Sequence, residues 1–248
     1  MSAALFDPAL GSAPGWPLVL YFHHVSDLVD HYTALSPDAF RRGLETVLDT
    51  VGPALDPAAV GPGFSPPDHP SVLLTFDDGY RDNLEVAAPL LAEFGVRVLL
   101  FCVTGELDAA DRLSRSERAA LPPRKAFLTW AEAELLAASG HVLSAHTAGH
   151  PRLTELEPRE AAEEVAVSLR GIGERTGGPA RTFAYPYGLI PQPPPVPPGV
   201  LAFGTVRSPP EPWARRPLHI RRTYLPVGDT ERWKRLAVGW REQWFGSQ

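Results

Sequence analysis

Cysteine is nearly absent: Cys102 is the only one in 248 residues. No intrachain disulfide can form, and a thiolate-ligated zinc site lacks its ligands. Cys102 lies in the apolar stretch 98–103 and reads as a buried, inert thiol. Lysine is scarce too, with Lys125 and Lys234 the only two. A net charge of −6 and a pI near 5.8 remove support for nucleic-acid binding. No apolar run reaches the length of a transmembrane segment. The first residues show no basic stretch followed by an apolar core, so the expectation is a cytoplasmic protein without a secretory leader. No internal repeat and no clear interdomain linker is visible. An apolar fraction of 44% can build a sizeable core, and the length suits one large domain.

Residues 1–17 hold Gly, Ser and three prolines and read as an irregular arm; 18–248 read as the domain. Leu18-Val-Leu-Tyr-Phe22 is a strand candidate ending at His23 and His24. Ser36-Pro37 starts a helix with an apolar face of Phe40, Leu44, Val47 and Leu48. Residues 52–70 carry six prolines and form a surface loop. Val72, Leu73, Leu74 and Phe76 predict a strand buried on both faces, stopping at Asp77 and Asp78. Gly79 lets the chain turn into a helix over 80–94, with Pro89 predicting a kink or a late start. A strand over 96–103 follows, then a long loop over 105–127 with room for one short helix. Thr129 and Glu132 form a capping box for a helix ending near Gly140. Short strands are predicted at 141–145, 182–185, 200–206 and 218–227. Helices are predicted ahead of Gly177 and at the tryptophan-faced C-terminal stretch. Residues 190–199 hold six prolines in an extended loop. Strands alternating with helices argue for a parallel α/β barrel or sheet.

Chemistry collects where these strands end, as it does in parallel α/β folds. Asp77 and Asp78 read either as a solvated turn or as one metal ligand beside one free base. His146 and His150 lie four apart and share a face if the segment coils into a helical turn. Two imidazoles and a carboxylate suit zinc and similar ions and leave coordination positions open. The alternative is a structural or surface role.

Three motifs carry a resemblance. Thr75-Phe-Asp-Asp-Gly79, His146-Thr-Ala-Gly-His-Pro151 and Phe183-Ala-Tyr-Pro-Tyr-Gly188 resemble, in chain order, those of the NodB-type polysaccharide deacetylases, carbohydrate esterase family four. The resemblance implies a distorted (β/α) barrel and metal-dependent removal of acetyl groups from sugars. It implies Asp78, His146 and His150 as ligands of one divalent ion, foremost zinc, with cobalt or nickel as the other choices. Asp77 would be the general base, and the Tyr187 backbone N–H would face the oxyanion. Leu18-Val-Leu-Tyr-Phe-His-His-Val25 resembles the opening of the poly-N-acetylglucosamine deacetylase branch, where this His protonates the leaving amine. His23 is therefore the expected acid, ahead of His24 and then His219 in Leu218-His219. A base and an acid of this kind predict a bell-shaped pH–rate profile. Tyr80, Tyr185, Trp130 and Arg222 are the expected substrate-side residues, with packing the alternative for Trp130; Arg222 sits where relatives often have an Arg near the base Asp, with a solvated strand charge as its alternative.

Export is common in that branch, and a helix usually stands where this chain has its proline-rich loop. Both departures widen the expected substrate from an N-acetylated polymer to a small acetylated metabolite. Two competing readings are an amidase or ureide hydrolase and a non-catalytic carbohydrate-binding relative. The complete Asp78, His146 and His150 set, with Asp77 beside it, argues against both.

Overall fold

The computed structural model describes residues 7–246. Residues 1–6 of the expected arm and the last two residues of the expected domain lie outside the described residues. In chain order the elements are β1 (Leu18–Phe22), β2 (His24–Val25), β3 (Ala34–Leu35), α1 (Pro37–Thr50), β4 (Val72–Asp78), α2 (Ala88–Glu93) and β5 (Leu99–Cys102). There follow α3 (Thr104–Asp111), α4 (Arg115–Ala119), α5 (Trp130–Ala138), β6 (Val142–Ala145), α6 (Pro158–Thr176), β7 (Thr182–Ala184), β8 (Leu201–Phe203) and α7 (Thr230–Trp244).

Apolar runs make the strands, and the sheet buries them on both faces. Six strands pair in the order β1-β4-β5-β6-β7-β8, every pair parallel. Alternate residues then face two cores. Leu18, Leu20, Phe22, Leu74, Phe76, Leu100 and Cys102 meet the helices. Val19, Leu73, Leu99, Phe101, Ala184 and Phe203 pack with Trp213 in the lumen. Burying such a side chain contributes roughly 1.5–3 kcal/mol. The sheet curls until residues 220–223 span its two edges. Ile220 bridges Phe203 of β8, and Thr223 bridges Leu20 of β1, both in parallel sense. The result is a distorted (β/α) barrel.

Signals at element ends hold well. Ser36 caps α1 through the Ala39 amide, Thr129 and Glu132 form the capping box of α5, and Gly177 ends α6 at φ 73°. The C-terminal face of Trp233, Leu236, Ala237 and Trp240 is buried. Three expectations need correction. Tyr80 and Arg81 are not helical, because Tyr80 bridges Phe127; a π-helical stretch spans Asn83–Ala87, and regular α2 begins only at Ala88, ahead of Pro89. The stretch 105–127 is more helical than expected, since Ser114 and Glu117 form a capping box for α4. Residues 218–227 make only the isolated bridges named above rather than a strand. Residues 7–17 are irregular but anchored: Trp240 Nε1 donates to Pro8 O, and the Gly11 amide donates to Gln243 Oε1. Among the described residues no helix is long and apolar enough to cross a membrane.

Candidate metal and acid–base site

Lumen positions run from apolar at the base to polar at the strand ends. On β1 the lumen row is Val19, Tyr21 and then His23; on β4 it is Leu73, Thr75 and Asp77. Strand alternation thus points Asp77 inward and would turn Asp78 toward the helices. The backbone reverses that. Asp78 has φ 72° and Gly79 has φ 83°. The Gly79 amide donates to Asp77 O at 3.0 Å, closing a γ-turn about Asp78. A non-glycine residue there costs about 1–3 kcal/mol. Its consequence is that two consecutive carboxylates line one cavity of about 450 Å³.

The two acids have different partners. Asp77 is paired with Arg222, whose Nη1 and Nη2 donate to Oδ1 and Oδ2 at 2.6 and 2.8 Å. Arg222 has no exposed surface, donates also to Gly204 O and Thr75 Oγ1, and lies between the Tyr21 and Phe101 rings. Burial pushes the Asp77 carboxyl up, but the Arg222 charge and hydrogen bonds, together with His146 and His23, outweigh it and hold the group below the usual carboxylate range. Asp78 Oδ1 lies 3.4 Å from His146 Nε2 and 3.3 Å from His150 Nε2. It is buried and makes no hydrogen bond of acceptable geometry. Burial raises its pKa too, but His146, His23 and His150 bring it well below the ordinary value.

His146 and His150 do meet, though not on a helical turn. Thr147 and His150 both take left-handed backbone, at φ 66° and 56°. Thr147 Oγ1 donates to His146 O and accepts from the His150 amide at 3.0 Å. Glu164 of α6 accepts from the Ala148 and Gly149 amides at 3.0 and 2.8 Å, which fastens the loop. His146 Nδ1 lies 2.8 Å from Ala184 O, a bond in which only the imidazole can donate, so in the neutral ring Nε2 carries the lone pair. Burial lowers the His146 pKa, but Asp78 and Asp77 raise it further, for a net increase. His150 is pulled down to about 4 by burial and by His146, and is neutral at pH 7.

One oxygen of Asp78 and one nitrogen of each imidazole lie within 4.8 Å of one another, the only such group among the described residues. The unpartnered buried oxygen and the bare His146 Nε2 fit a divalent cation, and the donor set is of the zinc class.

The other predicted residues divide. His23, His24, Tyr80, Tyr185 and Tyr187 line the cavity. His24 Nδ1 lies 2.8 Å from Asp82 Oδ2, and Tyr80 stacks between His24 and Phe127. The Tyr185 hydroxyl is buried with no partner. Tyr187 sits at φ 60°, its ring edge-on to His150 and under the Arg152 guanidinium. Trp130 and Arg222 are corrected as substrate-side residues: Arg222 is fully buried on Asp77 rather than on the cavity wall, and Trp130 is buried outside the cavity, its Nε1 donating to Asp108 Oδ1 at 2.7 Å and its ring under Arg175. His219 lies outside as well, beside Arg216. The sequence reading missed His31, Thr33, Tyr32 and Glu164. The first three stand in a loop with no periodic pattern, and Glu164 is one of several acids on a solvated helix; the crowding of histidines at 23, 24 and 31 was the available signal.

Comparison with known proteins agrees with this geometry. The family model described as Polysaccharide deacetylase matches residues 65–193, more than half of the chain. YxkH of Bacillus subtilis (strain 168), assigned by name to the polysaccharide deacetylases, is 27% identical over 122 residues. That match takes in 49% of this chain and 38% of the relative, so the chain spans little more than a third of the curated relative. The Streptococcus pyogenes deacetylase PplD, solved with acetate, superposes with a TM-score of 0.68 at 21% identity, over 88% of this chain and 95% of that one. IcaB from Ammonifex degensii gives 0.65 at 21% identity, over 93% and 100%. The BpsB deacetylase domain from Bordetella bronchiseptica gives 0.59 at 19% identity, over 88% and 97%. These structures share the fold. The matched segment includes Asp77, Asp78, His146, His150 and Tyr187 but stops short of His23 and Arg222. With its motifs in order on a distorted (β/α) barrel, the chain belongs to the NodB-type polysaccharide deacetylase family.

Proposed function

We propose that this protein is a metal-dependent hydrolase that removes the acetyl group from an N-acetylated sugar. One observation carries the reading: a buried, unpartnered Asp78 oxygen faces two imidazole nitrogens, beside an ionised Asp77 that does not share them. Asp78, His146 and His150 would hold the ion, zinc foremost. A divalent ion bound there polarises a carbonyl and makes water a better nucleophile.

The remaining roles belong to the chain. Asp77 takes a proton from the water that attacks the acetyl carbon, and Arg222 keeps its carboxylate charged and aimed. The Tyr187 backbone N–H, on its left-handed turn, faces the carbonyl oxygen as negative charge develops. His23 gives a proton to the nitrogen as the C–N bond breaks, releasing acetate and an amine. Burial lowers the His23 pKa against the pull of Asp78 and Asp77. Asp77 must be ionised and His23 protonated, so the rate falls below the Asp77 pKa and above the His23 pKa. Both lie under the ordinary values, which places the bell on the acid side of neutrality. Tyr80 and Tyr185 border the sugar.

The test is acetate release from N-acetylglucosamine and its oligomers after chelation and re-addition of Zn²⁺, Co²⁺ or Ni²⁺. Acetate that appears only with metal, and falls about 10²–10⁴-fold in Asp77→Asn, supports the reading. Undiminished turnover in the Asn variant would reject Asp77 as base. Release of a product other than acetate would favour an amidase on a small metabolite.

A further inference from the structure

His23 and His24 are neighbours on one cavity wall, but their Nδ1 atoms have different partners. His24 has the Asp82 carboxylate. His23 has a neutral hydroxyl, Thr33 Oγ1, at 2.7 Å. The same oxygen lies 2.9 Å from His31 Nδ1. Thr33 is 1% exposed and immediately precedes β3, whose pairing with β2 sets it against the end of β1. The Ala34 amide donates to His31 O at 3.0 Å, closing the turn that brings His31 back over His23, their ring centroids 4.9 Å apart. From the other side Asn83 Nδ2 donates to His23 O at 2.9 Å.

Proton counting decides the direction of this chain of bonds. The Thr33 backbone N–H donates to His31 Nδ1 at 3.4 Å, so that nitrogen presents a lone pair. A bare nitrogen 2.9 Å from a hydroxyl oxygen requires the hydroxyl proton between them, and threonine has only one. Thr33 Oγ1 therefore turns a lone pair to His23, and His23 Nδ1 must carry hydrogen. Burial pulls the His31 pKa down to about 4, which keeps its ring neutral and its Nδ1 an acceptor at pH 7. His23 Nε2 has no hydrogen-bond partner among the described residues and belongs to the cavity wall.

We infer that Thr33 and His31 form a positioning relay that locks hydrogen on His23 Nδ1 and makes Nε2 the only ring atom where His23 gains or loses a proton. This deepens the assignment of His23 as the acid and rests on it for its catalytic meaning. In the transfer the Nε2–H bond breaks and an N–H bond forms on the leaving nitrogen, which keeps the electron pair of the broken C–N bond. The ring passes from imidazolium to neutral imidazole, and the Nδ1–H bond to Thr33 is the same in both states. No ring flip and no hydroxyl rotation intervenes between turnovers. Thr33 and His31 are positioning residues, since they act through His23.

The ring state can be read without any substrate. In protein labelled with ¹⁵N-histidine, long-range ¹H–¹⁵N spectra at neutral pH distinguish the two tautomers, with His23 assigned by His23→Gln. The expected result is the Nδ1–H tautomer for His23, opposite to the one a free histidine side chain prefers. An Nε2–H tautomer in the wild-type protein overturns the relay whatever the activity. Thr33→Val keeps the shape and removes the hydroxyl. It should mix the tautomers and lower kcat about tenfold, the low end of what losing an orienting partner costs a functional imidazole, with KM unchanged. Thr33→Ser should restore both. Retention of the pure Nδ1–H form in the Val variant, or failure of Ser to restore it, also overturns the relay. If no acetylated sugar is turned over, the spectra still judge the relay, and only the assignment of the reaction falls.

Discussion

Asp77 and Asp78 are joined by one peptide bond, yet they end in electrostatically opposite surroundings. Asp77 faces the lumen and finds a complete partner in Arg222, which returns two hydrogen bonds and a full charge. Asp78 faces the mouth and finds two imidazoles, one of which spends its only Nδ1 proton on Ala184 O. The first carboxylate is satisfied by the fold. The second keeps one buried oxygen with no hydrogen-bond partner, and a fold tolerates such an atom only where something else completes it. The difference separates a base held ready for protons from a ligand held ready for a cation.

Removing Arg222 breaks the comparison most severely. Arg222→Met leaves Asp77 buried without its counter-charge and should cost about 3–5 kcal/mol in guanidinium denaturation. Adding Asp77→Asn to that variant should recover much of the loss while acetate release stays absent. If Arg222→Met unfolds like the wild type, the pair is not what holds the lumen together. Asp78 should behave in the opposite way. Asp78→Asn should change the metal-free stability far less than Arg222→Met does, but it should abolish stabilisation by added Zn²⁺. That stabilisation is about 2.7 kcal/mol at a hundredfold excess over Kd in the wild type, read as a shift in the thermal midpoint. An equal shift in the Asn variant would remove Asp78 from the ligand set.

The two imidazoles sharpen the contrast through pH. His150 has a folded pKa of about 4, below its unfolded value. The unfolded chain therefore binds more protons between the two values, and the stability this group contributes is lost as pH falls through that window. His146 has the opposite sign: its raised folded pKa contributes stability at low pH that is lost as pH rises through it. In metal-free protein His150→Gln should flatten the acid-side loss, whose slope for one proton is at most about 1.4 kcal/mol per pH unit. An unchanged slope would show that His150 is not the group titrating there. The smallest effect is expected at Trp130, remote from both acids. Trp130→Phe loses the bond to Asp108 and should cost about 1 kcal/mol with KM for the acetylated sugar unchanged. A raised KM would return Trp130 to the sugar.

Much of this was legible in the chain. The period of the apolar residues placed six strands, because a parallel sheet covered on both sides needs unbroken apolar runs. Caps at Ser36, Thr129 and Gly177 were readable because each satisfies backbone groups within a few residues of itself. Residues 218–227 misled for the opposite reason. Their apolar content is that of a strand, but they span the gap between the two sheet edges, and only Ile220 and Thr223 form backbone bridges to a strand. The Pro89 signal was right in kind, and the π-helical stretch at Asn83–Ala87 shows where the chain absorbed it. Trp130 misled because an aromatic beside a helix cap looks the same in sequence whether it packs inward or faces a ligand.

By itself the sequence determined the strands, the capped helices, the three motif turns and the donor types they carry, since each depends on interactions within a few residues. The tertiary structure decided what those donors do. The γ-turn swings Asp78 beside Asp77 against the alternation of the strand, and the bond from His146 Nδ1, the reach of Arg222 from between the sheet edges into the lumen and the Thr33 hydroxyl on His23 join groups whose distance in the chain says nothing of their distance in space. Hydrogen bonds and charges act over a few ångströms. Which atoms come that close was settled only when the sheet curled and its edges met.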